Sequence, residues 1–593
     1  MQLRRMRRNM LWGRSGHGRK GRRRPSLKTP GIRYSIAFPI AALACLLCFA
    51  QFVRADTTQY RQGALATASP IATDIGVRTF KDGGNAFDVA VAVGIALAVC
   101  YPQAGNIGGG GFAVLRDGKT GRIESLDFRE VAPGNATEQM YLNSAGDVIE
   151  NLSTLGAKAA GVPGTVAGLY ELWHKYATLP WKNLLAPAIA LADTGFIVDD
   201  ALAESLAEEE SGLGSFPETK SIFFPNDRPH ATGDRFVQKD LAGTLRLIAA
   251  SGPTVFYSGS VADKIVACMQ NHGGLITHED LKAYHPKWRE PVRFRFDGLD
   301  IYSMAPPSSG GIIVGQILKL LEPYDLSLFT SSSPEYIHLF CEAARLAYAD
   351  RATHLGDPDF YYVPTGLLDS GYLSARRTLI DTIRATPSRQ VLPGEPADRE
   401  STQTTHFSIA DSTGNMVAIT YTLNTSYGSK LVVAGAGFLL NNEMDDFSIK
   451  PGVPNVYGLV GGEANKVAPN KHMLSSMSPT VVLKDSKPYL ILGTPGGSKI
   501  ITTVAEAILV CVRFGRPLDE AAAMPRFHHQ WLPDRLYLEE ASFAPGIKEA
   551  LEQKGHTVEK IPAWCDIQMV AIDSLGVMTA VSDPRRNGEA GGF

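Results

Sequence analysis

The stretch from Glu400 to Asn424, "ESTQTTHFSIADSTGNMVAITYTLN", constrains the fold more than any other part of the chain. Residues 406–411 and 416–424 alternate apolar and polar side chains on either side of "DSTGN". That is the period-two pattern and Gly/Asn turn of a β-hairpin. A hairpin centred on Thr413 sets Thr404 opposite Thr422, because the two are equidistant from it. The segment just before, residues 386–400, is polar and rich in Pro and charge. It is expected to stay unpacked, and so to be a place where the chain can part.

Charge divides the chain unevenly. The formal net charge is -2, but residues 1–55 hold thirteen Lys and Arg and no Asp or Glu. The rest carries 45 basic against 60 acidic side chains, a net charge of about -15. An acidic body argues against nucleic acid as a partner, because phosphates need a basic face. The basic leader runs into a mostly apolar stretch, 36–53, and "VRA" ending at Ala55 offers the small residues a signal peptidase reads. Residues 1–55 are therefore expected to be an export signal leading to the periplasm, with an uncleaved membrane anchor as the alternative. Of seven cysteines, two (Cys45 and Cys48) fall in this leader. The other five are widely spaced without a CxxC pair, so neither a zinc site nor a disulfide framework is indicated.

Residues 85–100, "NAFDVAVAVGIALAVC", are too short to span a bilayer and predict a buried core helix. Further helices are expected over 165–177, 181–193 and 335–353. The four glycines of "GNIGGGGF" (105–112) lack the Lys-Ser/Thr of a P-loop, and close backbone packing is the simpler reading. Arg129 in "DFRE" follows an apolar strand. It suits either a salt bridge with Asp127 or Glu130, or a bidentate clamp on a carboxylate.

Beyond the hairpin, "FLLNNEMDDF" (438–447) crowds three carboxylates, which repel one another unless a cation or a ligand ammonium compensates. EF-hand spacing is missing. Residues 451–462 carry two prolines and four glycines around Tyr457 and read as a mobile loop with an aromatic plug, a lid. Ser475 and Ser476 present paired hydroxyls at a strand start. "YLILGTPGGSKIITTV" reads as strand, turn and helix, with Ser498 as the expected N-cap. The N–H groups at Gly496 and Gly497 suit an oxyanion site, or the turn is merely structural. Adjacent His528 and His529 lack a third ligand at metal-binding spacing.

No GxSxG elbow or Cys/His pairing offers a nucleophile. A threonine hydroxyl is weak and needs a base. Were Thr404 freed at its N-terminus, its own α-amino group, with a pKa of about 7.7–8.0, could be that base. The same hydroxyl could first attack the Gln403 carbonyl and so release itself. Spacing alone leaves this open, since threonines are common in strands.

A resemblance bears on the choice. "QTTHFSIAD", "TYTLNTSYG", "LLNNEMDDFS", "PGVPNVYGLVGG", "LSSMSPT" and "GTPGGSKIITTV", in this order, resemble the small-subunit motifs of bacterial γ-glutamyltranspeptidases. "AGNIGGGGF" and "DFRE" resemble those of the large subunit. The likeness covers the chain from about Ala64 onward. It implies an N-terminal-nucleophile hydrolase fold, an α/β four-layer αββα sandwich, self-cleaved between Gln403 and Thr404 into a large subunit (56–403) and a small one (404–593).

By the same resemblance, Thr404 is the nucleophile, assisted by Thr422, with Gly496 and Gly497 as oxyanion donors. Arg129, Ser475 and Ser476 hold the substrate α-carboxylate, Asn424, Glu443 and Asp446 its α-ammonium, and Tyr457 sits on the lid. The implied substrates are glutathione and other γ-glutamyl compounds, with water, amino acids or dipeptides as acceptors and no cofactor or metal. Glu443 departs from family members with Gln there. Asp446, replaced in related cephalosporin acylases, favours a glutamyl substrate over the glutaryl or β-lactam side chains of an acylase. An inactive secreted homologue is the other alternative.

Overall fold

Two antiparallel seven-stranded sheets, stacked face to face, build the centre of the molecule. The computed structural model describes residues 58–396, 406–540 and 542–593; Gln403 and Thr404 lie outside them. In the first sheet Phe407–Asp411 and Met416–Thr422 form the hairpin. It is flanked by Gly63–Thr67 on one side and Gly110–Arg116 on the other. The second sheet is centred on Lys487–Gly493, between Thr480–Lys484 and Gln568–Ile572. Strands from before and after residue 404 thus interleave in both sheets.

Alternation along the hairpin sorts side chains between two cores. Ile409, Val417 and Ile419 join the helices Pro70–Lys81 and Ala86–Cys100 in one apolar cluster. Ala410, Met416 and Ala418 face the second sheet and belong to another. That second core continues into the helices Gly310–Leu321, Pro334–His354 and Ile500–Val512. The result is helices, sheet, sheet, helices. The polar half of the alternation meets protein rather than water: all of Phe407–Asp411 is buried, and Ser408 Oγ donates to Gln568 O of the second sheet at 3.0 Å.

The helix Ala86–Cys100 is buried along its whole length. Asn85 caps it, with Asp88 completing a capping box. Asp88 also accepts from the Thr178 and Leu179 amides and the Thr178 hydroxyl, so a buried carboxylate is fully partnered. The other expected helices form at Thr165–Tyr176, Trp181–Thr194 and Pro334–His354. Among the described residues no helix is long and apolar enough to cross a membrane.

Two local expectations need correction. Residues 386–394 do pack: Ser388 is buried and receives Arg345 Nε at 3.1 Å, while the Gly394 amide donates to Asp350 at 2.9 Å. Composition understated this because the partners come from the distant helix Pro334–His354. Ser498 caps no helix either; a 3-10 turn, Gly497–Lys499, intervenes before Ile500–Val512.

Candidate active site

The hairpin register fixes one wall of the site. Phe407 pairs with Ile419 and Ala410 with Met416, so the pairs are symmetric about Thr413. The last residue of the second strand, Thr422, borders the site. Thr422 itself pairs with Gly110 at the end of its strand, and its Oγ1 accepts the Asn424 amide at 2.9 Å. Gly109 must be glycine for this approach, because a Cβ there would lie 2.0 Å from Thr422 O. Close packing, not phosphate binding, accounts for the glycine run here.

Beside this wall opens a cavity of about 430 Å³. Arg129, Thr422, Asn424, Glu443, Asp446, Tyr457, Ser475, Ser476, Gly496 and Gly497 all line it. Every described residue singled out from the sequence as a site candidate therefore meets at one place.

Arg129 is fully buried, with Nη2 2.7 Å from Asp446 and Nη1 2.6 Å from Glu443. The Glu443 contact is off hydrogen-bond alignment, so Nη1 and Nε retain donor capacity. Glu130 stands 3.8 Å away, whereas Asp127 is paired with Arg289 at 2.8 Å. Burial pushes the Glu130, Glu443 and Asp446 carboxyls up, and Arg129 opposes this. For Arg129, burial is more than offset by Glu443, Asp446 and Glu130, so it stays charged. One guanidinium beside three carboxylates leaves an acidic pocket that a ligand ammonium would relieve.

The third carboxylate of the crowded run does different work. Asp445 turns away from Arg129, accepting Ser153 Oγ at 2.7 Å and the Val456 amide at 2.9 Å. It thereby anchors the 451–462 loop. Tyr457 OH donates to Asn424 O at 2.8 Å, and Gln530 Nε2 donates to Tyr457 O at 3.2 Å. The Tyr457 ring covers Gly497, so the loop lies closed over the turn.

Gly496 and Gly497 adopt φ of +136° and +58°. Behind them Tyr348 OH donates to Ser498 O at 2.5 Å. The paired histidines serve elsewhere: His528 bonds Thr502 and Gln530, and His529 bonds Arg345. Gln103, Glu209, Lys499, Trp564, Cys565 and Arg586 also line the cavity without having been foreseen. Lys499 follows the Gly496–Gly497 turn within its motif, whereas the others come from segments that carry no local motif.

The sequence pattern of the family described as "Gamma-glutamyltranspeptidase" matches residues 72–593. The chain belongs to the γ-glutamyltranspeptidase family. A glutathione hydrolase proenzyme of Escherichia coli (strain K12) is 48% identical over 527 residues, 88% of this chain and 90% of that protein. Among solved structures, the γ-glutamyltranspeptidase of Helicobacter pylori is 45% identical, with a TM-score of 0.54 over 55% of this chain and 94% of that one. A cephalosporin acylase from Bacillus halodurans shares the fold more completely, with a TM-score of 0.81 over 91% of this chain and 97% of that one, but at 26% identity. Solved structures of a γ-glutamyltranspeptidase and of a cephalosporin acylase thus share this N-terminal-nucleophile hydrolase fold.

Proposed function

We propose that this chain is the precursor of a γ-glutamyltransferase and glutathione hydrolase that cuts itself between Gln403 and Thr404. The observation that supports the reading is a cavity at the end of the hairpin strand Met416–Thr422 that holds both a guanidinium and an acidic cluster. Thr404 Oγ attacks the Gln403 carbonyl, an ester replaces the peptide bond, and water hydrolyses it. The new α-amino group then serves as base for the same hydroxyl.

In catalysis the substrate's glutamyl head lies with its α-carboxylate toward Arg129, Ser475 and Ser476. Its α-ammonium lies toward Asn424, Glu443 and Asp446. Thr404 attacks the γ-carbonyl, assisted by Thr422, while the Gly496 and Gly497 N–H groups receive the developing oxyanion. The leaving amine takes a proton, and the γ-glutamyl ester passes to water or to the amine of an amino acid or dipeptide. Closure of Tyr457 over Gly497 limits access of water.

Division into large (56–403) and small (404–593) subunits suits the Helicobacter pylori match, in which 94% of that chain corresponds to 55% of this one. Residues 1–55 direct export, most simply to the periplasm, with a retained anchor as the alternative. An acylase reading has the Bacillus halodurans structure in its favour. The acidic cluster around Arg129 argues against it, because a glutaryl group brings no ammonium to balance Glu443 and Asp446.

Denaturing gels of purified protein test the processing: two fragments are expected, the smaller beginning at Thr404, and one uncut band for Thr404→Ala. Cleavage at Gln403 in that variant refutes self-processing, and an uncut wild type indicates an inactive homologue. Faster turnover of a glutaryl anilide than a γ-glutamyl anilide refutes the substrate assignment.

A further inference from the structure

Arg351 lies in the last turn of the helix Pro334–His354 and is 4% exposed. Its Nε donates to Ser309 Oγ at 2.8 Å and its Nη2 to Ser476 Oγ at 3.1 Å. Among the described residues no carboxylate forms an ion pair with it; Asp446 is the acidic side chain whose field reaches it. A buried cation held by hydroxyls alone is costly, and proteins seldom keep one without use.

Its two hydroxyl partners lead to the cavity. Ser309 Oγ donates a hydrogen bond to Ser475 O at 2.7 Å, which fixes the backbone of the paired serines. Ser476 Oγ lines the cavity directly. Because Ser476 accepts from Arg351, its single proton is left to donate elsewhere. Charge bears on the same point. Arg129 is enclosed by Glu130, Glu443 and Asp446, so an incoming carboxylate meets a guanidinium already matched by acidic groups.

We propose that Arg351 is a positioning residue that polarises Ser476 as a donor and supplies the counter-charge for the substrate α-carboxylate. This deepens the γ-glutamyl reading above and rests on it. Selectivity for a free α-carboxylate then depends on a side chain that does not itself line the cavity.

The test compares γ-glutamyl anilide with its α-carboxamide analogue in the wild type, Arg351→Met, Arg351→Lys and Ser476→Ala. For Arg351→Met, KM for the anilide should rise about 10- to 100-fold, the range of a buried charge-assisted hydrogen bond. Turnover of the carboxamide should change little, and Arg351→Lys should recover part of the loss. The double variant Arg351→Met/Ser476→Ala should be little worse than either single variant. Equal losses on both substrates in Arg351→Met, or additive effects in the double variant, overturn the assignment. A wild type that does not cleave the anilide overturns the functional reading itself. Ser476→Ala provides the same discrimination test should Arg351→Met fail to fold, and unchanged selectivity there also refutes the proposal.

Discussion

Replacing Gly497 by Ala tests whether the closed lid and the turn proposed to hold the oxyanion are mechanically linked. A Cβ at Gly497 would stand 2.5 Å from Tyr457 Cδ1 and 2.6 Å from Cε1. Carbon atoms pack best at about 3.5–4.0 Å, so the ring must retreat by about 1 Å. That movement strains the Tyr457 OH to Asn424 O hydrogen bond of 2.8 Å, worth about 0.5–1.5 kcal/mol. Holding Ala at a φ of +58° adds about 1–2 kcal/mol. Together these give about 1.5–3.5 kcal/mol. Borne fully by the transition state, that is a loss of about 10- to 400-fold in kcat/KM. The assay is a double-mutant cycle with Tyr457→Ala, read as kcat/KM on a γ-glutamyl anilide. Removing the ring abolishes the collision but not the backbone strain, so the Gly497→Ala penalty should fall to about 1–2 kcal/mol in the Tyr457→Ala background. An equal penalty in both backgrounds refutes the steric coupling.

Two further outcomes follow from groups around the site. Tyr348→Phe removes the donor to Ser498 O and loosens the turn that presents the Gly497 N–H. We expect kcat to fall by about 3- to 10-fold with KM unchanged, and a rise in KM alone would count against a role for Tyr348 in the turn. Acid stability should follow the buried histidines. Burial holds His406 down to about 3 and His529 down to about 4, against an ordinary value of 6.5. As pH falls below 6.5 the unfolded chain takes up protons that the folded one refuses, so stability is lost progressively between pH 6.5 and about 3, by up to about 5 kcal/mol from His406. Thermal melts across that range should show the decline, flattened in His406→Gln; an equally steep decline in that variant assigns the acid sensitivity elsewhere.

The local elements were legible because their signals are local. Alternation around "DSTGN" encodes the hairpin and its register, and a continuous apolar run encodes the buried helix 86–100. The alternation could not say what lies on each face. Ser408 and Thr420 are polar positions of that alternation, yet both are buried. Residues 386–394 looked unpacked for the same reason: the partners that hold them, Asp350 and Arg345, belong to a helix formed dozens of residues earlier. Glu209 and Arg586 reach the cavity from sequence neighbourhoods that carry no catalytic pattern.

Short-range periodicity made the hairpin phase and the buried helix legible, whereas the family, its layered fold and ten of the cavity-lining groups were legible only through the resemblance that the motifs carry in order. Charge balance needed the folded molecule. In the chain, Arg129 has acidic neighbours on both sides of its segment; in space, its closest partners are Glu443 and Asp446, more than 300 positions away, while Asp127 is taken by Arg289. Arg351 is one arginine among many until folding buries it against Ser309 and Ser476. Coulomb energy depends on distance and burial, and neither is a property of sequence position.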